Sequence, residues 1–271
     1  MTPKLKSFAA TALLALGGLA SAQNVTFTQG DNLNPNTQLQ FAASYDFVNV
    51  LGLTASQFAS VGPATVSTSV DNEGFLDTTR VTAPLSSLTG QGSYASFETQ
   101  SLTTRGGLLL NVPSQKSVST GGALAITNIS LDLASKQVYA DLDGANGVGS
   151  LTHFHLWDIG TISGDLQFSI LAIAVGCTIN SCVPYGAPAV PLSFTAGDLT
   201  LAAGSFNVIA QSLGLSALGK TALASVSDFG TLTAGPVPEA SSGLMMALGL
   251  IGVAGATLSR RFPSCRHSSL A

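Results

Sequence analysis

Basic charge is scarce in this chain. It has ten Lys and Arg residues among 271, and Lys4, Lys6, Arg260, Arg261 and Arg266 lie in the two terminal segments. The long middle carries five (Arg80, Arg105, Lys116, Lys136 and Lys220) against thirteen acidic residues. No basic stripe is available to neutralise phosphates, which excludes nucleic acid as a partner. Charge of either sign is sparse at 9% of residues, while 45% are hydrophobic. A disordered polymer needs the reverse balance. Glutamate is nearly missing as well, with only Glu73 and Glu98 before the C-terminal segment. Glycoside hydrolysis by paired carboxylates needs two acids facing across a cleft, and nothing singles out a pair. A Gly-x-Ser-x-Gly elbow, His-Glu-x-x-His, a Walker loop and a dinucleotide fingerprint are also lacking. The sequence points to no enzyme.

What remains is rich in Gly, Ser, Thr, Ala and Val, the composition of strands and turns. Before it comes a three-part leader: Lys4 and Lys6, an apolar run from Phe8 to Leu19, then Ala20-Ser21-Ala22. Small residues at Ala20 and Ala22 mark a signal-peptide cleavage site, so residues 1–22 are expected to be removed and Gln23 to lead the mature chain. The apolar run falls short of the ~20 residues that a membrane span needs.

Residues 23–234 read as one all-β domain, β-sandwich-like, with one or two short helices. Asn32 to Asn36 is turn chemistry, Val61–Val70 is β-branched and turn-rich, and Tyr94–Glu98 and Leu108–Val112 read as strands. The clearest unit runs from Gly121 to Asp143. Leu124 and Ile126 alternate, the phase slips at Thr127-Asn128, and Ile129, Leu131 and Leu133 resume it. A slip of one inside an alternating strand is the mark of a β-bulge. Ala134-Ser135-Lys136 then turns the chain, and Val138, Ala140 and Leu142 return as the partner strand. Further strands are expected at 151–159 and 166–175, the latter central because Ile170–Val175 is apolar on both faces. Helices are expected over 205–218, interrupted by Gly214, and over 53–59 with Thr54 as N-cap.

Cys177 and Cys182 flank Thr-Ile-Asn-Ser, a spacing that suggests a disulfide closing a tight turn in an exported chain. Such a small loop contributes about 2 kcal/mol. His153-Phe154-His155-Leu156-Trp157-Asp158 is the one site-like cluster. Alternation puts His153, His155 and Trp157 on one face and Phe154 and Leu156 on the other. Two histidines at i, i+2 can share copper or zinc, given a third ligand from another strand. The plainer alternative is a half-exposed strand face that happens to carry two imidazoles. Asp141-Leu-Asp143-Gly144-Ala-Asn146-Gly147 resembles part of a calcium loop, but Thr152 stands where that loop needs its bidentate Glu. Asn-Gly makes a hairpin turn the better reading. No cofactor is expected; haem, copper, zinc and calcium stand as alternatives.

The C-terminal segment, 235–271, has the most specific pattern. Pro236-Val237-Pro238-Glu239 precedes an uncharged apolar run from Gly243 to Leu258, and Arg260-Arg261 follow. As a helix at 1.5 Å per residue the run is about 24 Å long, short for a ~30 Å hydrocarbon core. The arginines place the C-terminus in the cytoplasm and the body outside. This arrangement resembles the PEP-CTERM sorting signal of Gram-negative bacteria: Val237, Pro238 and Glu239 match the motif, 243–258 the span, Arg260 and Arg261 the stop. Ala240 stands where the family has a second Pro, and ten residues follow Arg261. The resemblance implies transient residence of 243–258 in the inner membrane and cleavage by an exosortase. It also implies release to the cell surface or extracellular matrix, with a link to exopolysaccharide and biofilm. The body would then be structural or adhesive. A permanent single-span anchor is the alternative fate of the tail. The body also bears a likeness to β-rich HtaA-type haem-binding domains, carried by Gly121-Gly-Ala-Leu, Val138-Tyr-Ala-Asp-Leu and Phe229-Gly-Thr-Leu. That likeness makes Tyr139, His153 or His155 the candidate ligands of a haem- or metal-binding module.

Overall fold

The computed structural model describes residues 23–28, 37–93, 96–168, 177–178, 181–182 and 192–236. The leader, the 237–271 tail, the Asn32–Asn36 turn and most of 166–175 lie outside the described residues.

The chain begins with β1 (Gln23–Thr28) and β2 (Thr37–Ala43), followed by helix α1 (Tyr45–Leu53). Next come β3 (Gln57–Val61), β4 (Thr65–Val70) and the long β5 (Leu76–Ser93). β6 (Ser96–Thr104), β7 (Gly107–Val112), β8 (Gly122–Asp132), β9 (Gln137–Gly144) and β10 (Gly149–Asp165) form the middle of the fold. β11 (Gln167–Phe168) and the two-residue strands β12 (Cys177–Thr178) and β13 (Ser181–Cys182) come before β14 (Ser193–Leu201). Helices α2 (Ser205–Ser212) and α3 (Ala217–Ala224) lead into β15 (Gly230–Pro236).

The main sheet is antiparallel and closes on itself. Its order runs β6-β5-β2-β15-β14-β10-β9-β8, and β8 returns to β6 through Ser101↔Asp132, Leu102↔Leu131 and Thr103↔Ser130. Eight strands thus form a barrel-like ring, a closure that removes free edges. Alternation alone does not announce closure, because inward and outward residues alternate equally in a sandwich and a barrel. Two strands serve double sets of neighbours. β8 pairs with β7 along Gly122–Thr127 and with β6 from Ser130 onward, while β5 lies between β4 and β2 in its first half and β1 and β6 in its second. β3 pairs with β7 outside the ring.

Inward residues fill the ring. Leu85, Leu88, Phe97, Leu124, Leu131, Val138, Leu156, Leu192 and Leu232 are fully buried, each worth roughly 1.5–3 kcal/mol of apolar transfer. Helix α1 packs against β5, α2 against β8, β9 and β10, and α3 against both other helices. An internal cavity of ≈ 30 Å³ lies among Leu110, Leu124, Ile126, Trp157, Leu213 and Phe229, with Thr79 on its wall. It has room for one water. Thr79 Oγ1 and Trp157 Nε1 are both buried there without a hydrogen-bond partner.

The β8–β9 hairpin is as the alternation predicts. The register shifts between Thr127 and Ser130, Asn128 has φ 50°, and Leu131, Val138, Ala140 and Leu142 are buried. Asp132 Oδ1 accepts the N–H groups of Ala134 and Ser135, which shapes the turn. The Asn146-Gly147 reading as a turn is likewise met: both residues have positive φ (55° and 83°), and Val148 N–H donates to Ala145 O. This is the primed turn that a two-residue hairpin requires.

Four expectations change. Three short helices stand where one or two were expected, since the 205–218 segment divides at Gly214 as expected, φ 61° there reversing the chain, and α3 runs on to Ala224. Thr54 is not an N-cap but the C-cap of α1: its Oγ1 donates back to Val50 O and Leu51 O, and Gln57–Val61 is strand. The true N-cap is Ser44, whose Oγ accepts from Phe47 N–H. The described part of the 166–175 segment, β11, stands at the end of the strand order beside β6 rather than at its centre. Trp157 is not on the face of His155. The register of β10 on β9 shifts between His155 and Trp157, so Leu156 and Trp157 both turn inward, and Trp157 stacks on Phe41 at 5.3 Å. A bulge puts two consecutive residues on one side, which strict alternation cannot foresee.

Candidate functional site on the outer face of the barrel

The outward residues of β9 are Tyr139, Asp141 and Asp143, between the buried Val138, Ala140 and Leu142. On either side of Asp141 the neighbouring strand is bulged. In β8 the bulge is at Asn128, and in β10 it lies between Leu151 and Phe154, where His153 has φ 49°. Positive φ is uncommon outside glycine, although Asn and His are among the side chains that adopt it most readily. Asp141 holds both bulges. Its Oδ2 accepts from Asn128 Nδ2 at 2.9 Å and its Oδ1 from the backbone N–H of His153 at 2.8 Å. Asn128 in turn holds the β6–β7 turn: its N–H donates to Gly106 O at 2.9 Å, and its Oδ1 accepts from Gly106 N–H at 3.3 Å. A line of hydrogen bonds therefore crosses from the β6–β7 turn through β8 and β9 to β10.

The turn has room for glycine alone. Gly106 has φ 78°, and a Cβ there would lie 2.4 Å from Val61 O. Next to it Arg105 is exposed, its N–H donating to Pro84 O at 3.0 Å. Among the described residues no carboxylate comes within ion-pairing distance of its guanidinium; the sole close pair is His155 with Asp158. Arg105, Asp141 and His153, with the hydroxyl-bearing Ser86, Thr103 and Ser130, line a shallow open groove of about 400 Å³. Ser86 Oγ and Thr103 Oγ1 are 2.7 Å apart.

The rings lie at one end. His153 stacks face to face on Tyr139, with centroids 4.2 Å apart and planes 6° from parallel, and His155 is tilted against the same tyrosine at 5.2 Å. The Tyr139 hydroxyl donates to Gln137 Oε1 at 2.6 Å. His155 Nε2 is 2.9 Å from Asp158 Oδ1, but off the direction in which the ring can hydrogen-bond. Sequence alternation thus puts His153 and His155 near one another and near Tyr139, but each ring is engaged with the tyrosine. Among the described residues no three His, Cys, Asp or Glu side chains converge as a metal site requires. Asp143 Oδ1 accepts from Ser150 Oγ, and the 141–147 segment is a strand end and turn rather than an ion loop.

Cys177 and Cys182 are direct register partners across β12 and β13. Residues placed so have Cα atoms ~4.5–5.5 Å apart, within the range that a disulfide spans. The expected sorting residues Val237, Pro238, Glu239, Arg260 and Arg261, and Ala20 and Ala22 of the expected cleavage site, lie outside the described residues. Sequence reading missed Arg105, Asn128 and Asp141 as members of one site. The phase slip at Thr127-Asn128 was the available signal, because a bulge re-aims a side chain and marks a strand worth inspecting. Compared with protein-family models, curated proteins and solved structures, the chain matches none.

Proposed function

We propose that the chain is an exported surface or extracellular-matrix protein whose barrel is a structural or adhesive module, delivered and trimmed through its C-terminal tail. The carrying observation is the order of parts: a leader ending at Ala22, a body, Val237-Pro238-Glu239, an apolar run and an arginine pair. The strands of the ring all fall between the two expected processing points, within residues 37–236. Among the described residues no helix is long and apolar enough to cross a membrane. On this reading 243–258 meets the inner membrane only briefly, and an exosortase cleaves near Pro238-Glu239. The β12–β13 hairpin is closed by a Cys177–Cys182 disulfide formed after export. The association is with hydrated polymer, exopolysaccharide above all. Intact mass of the protein recovered from the cell surface or matrix tests the proposal. The expected species begins at Gln23, lacks Arg260 and Cys265, and is two hydrogens lighter than its reduced form. Recovery of a species that keeps Arg260 would show a permanent anchor instead.

A further inference from the structure

The groove at Arg105, Asp141 and His153 has features that neither the leader nor the tail accounts for. Its floor carries backbone strain at His153, an exposed non-glycine residue with φ 49°. Strain of this kind persists where the surroundings over-determine it, and here Asp141 does so from the next strand. Arg105 projects beside a turn that Gly106 and Asn128 hold, with no acid paired to it among the described residues. The Tyr139–His153 stack offers an aromatic surface at the same place, because one face of the exposed His153 ring covers the tyrosine and the other is left open.

Charge decides which ligand suits this surface. The groove holds one guanidinium and one carboxylate, so it is locally balanced. The body around it carries thirteen acids against five bases, whose summed field repels a polyanion. One arginine is also far from the cluster that binding a polyanion demands. A neutral ligand with many hydroxyls meets every feature. Each hydroxyl both donates and accepts, so it can take a hydrogen bond from Arg105 and give one to Asp141. Each Asp141 oxygen accepts one bond from the protein and keeps a free lone pair. The C–H face of a pyranose ring carries slight positive charge and packs on the negative face of an aromatic ring. Ser86, Thr103 and Ser130 add hydroxyls that both donate and accept along the groove.

We infer that this outer-face groove binds an uncharged hexopyranose unit of a polysaccharide chain, with His153 on Tyr139 as the stacking platform and Arg105 and Asp141 as the hydroxyl-reading pair. The inference rests on the surface-and-matrix reading for its choice of polymer, and its geometry stands apart from the tail. The groove is shallow and open to solvent, which suits a unit within a chain rather than an enclosed free sugar.

Calorimetric titration of the full chain tests it, using cellotetraose, maltotetraose and the tetrasaccharides of β-mannan and β-galactan, with tri-galacturonate as the acidic probe and a chitosan tetramer as the cationic one. At least one neutral tetrasaccharide is expected to bind saturably, with little change between low and high salt. Arg105→Gln should weaken it about tenfold or more, the size of a lost charge-assisted hydrogen bond. His153→Gly should weaken it comparably; glycine takes the same φ without strain, so the fold survives, and circular dichroism checks that it does. Lys220→Gln, outside the groove, should leave binding unchanged. Neutral binding equal in wild type, Arg105→Gln and His153→Gly would overturn the assignment of the site. Binding of tri-galacturonate or the chitosan tetramer alone, or of no probe at millimolar concentration, would overturn the ligand class. These outcomes separate from the address of the protein. A trimmed matrix species that binds no sugar removes the groove and leaves the proposed function, whereas sugar binding by an untrimmed, anchored chain does the opposite.

Discussion

On the inner side of β9 and β10, Val138, Ala140, Leu142 and Trp157 pack among carbon atoms; on the outer side, Tyr139, Asp141 and His153 are held by directed contacts. The inner side tolerates two polar atoms, Thr79 Oγ1 and Trp157 Nε1, that find no partner beside a small cavity. The outer side gives both Asp141 oxygens a partner and holds three positive-φ residues, Gly106, Asn128 and His153, in one line. The difference shows where each kind of free energy is placed. Stability comes from non-directional burial, which absorbs a few unsatisfied groups. Fixed geometry comes from hydrogen bonds on the water-facing side, which contribute little to stability but set where Arg105 and His153 stand.

If that division is right, the largest effect comes from inside. Leu124, fully buried and lining the cavity, becomes costly to truncate: Leu124→Ala should destabilise by about 3–4 kcal/mol, because it enlarges a space that the helices cannot collapse. Urea denaturation measures it, and a loss under 1 kcal/mol would mean that the helices re-pack freely.

A smaller pair of changes tests the polar groups with opposite signs. Thr79→Val removes a buried hydroxyl without a partner while keeping the branched shape a strand prefers, and should stabilise by about 1 kcal/mol. Asp141→Ala removes an acceptor used twice on the water-facing side, and should destabilise by about 1 kcal/mol because solvent replaces much of what is lost. Its sharper signature is local: amide exchange at His153 and Asn128 should quicken while Leu131 and Val138 stay protected. Uniform loss of protection would contradict the separation of the two faces.

The smallest effect belongs to Asp132 at the β8–β9 turn. Hydrogen bonding from the Ser135 backbone holds its carboxyl below the ordinary 3.8, with partial burial opposing and the Ser135 hydroxyl and Ala134 N–H adding to it. A depressed carboxylate stabilises the fold at pH above its unfolded value and loses that contribution as pH falls through the folded one. Wild type should therefore exceed Asp132→Asn in melting temperature by a constant margin above about pH 4, narrowing only at more acidic pH. A margin that shrinks on going from pH 7 to pH 5 would contradict this origin.

The hairpin from Gly122 to Gly144 could be read directly from the sequence, bulge included, because its alternation is strict and a single phase slip has one structural meaning. β10 was read as strictly alternating, and it is not. Its apolar residues fall at 151, 154, 156, 157 and 159, and the two breaks in phase coincide with its two bulges, the second of which sends Trp157 inward to stack on Phe41. The slips are local, but the partner that Trp157 gains lies more than a hundred positions away. Helix α1 was missed for a related reason. In Tyr45-Asp-Phe-Val-Asn-Val-Leu the apolar residues recur at helical spacing (47, 50, 51), but over so short a run that the Ser44 cap and the packing of Val48, Val50 and Leu51 are what fix the helix.

The sequence by itself determined the all-β character of the body, its central hairpin, and the terminal patterns on which the proposed address depends. These follow from composition, period and order, which act over a few residues at a time. The tertiary structure alone decided that eight strands close through β6 and β8, that Trp157 faces the core, and that Arg105, Asn128, Asp141 and His153 meet on one outer face. Closure and convergence depend on which strands become neighbours. Neighbours are chosen by burying the whole set of inward side chains at once, a condition that no single stretch of sequence carries.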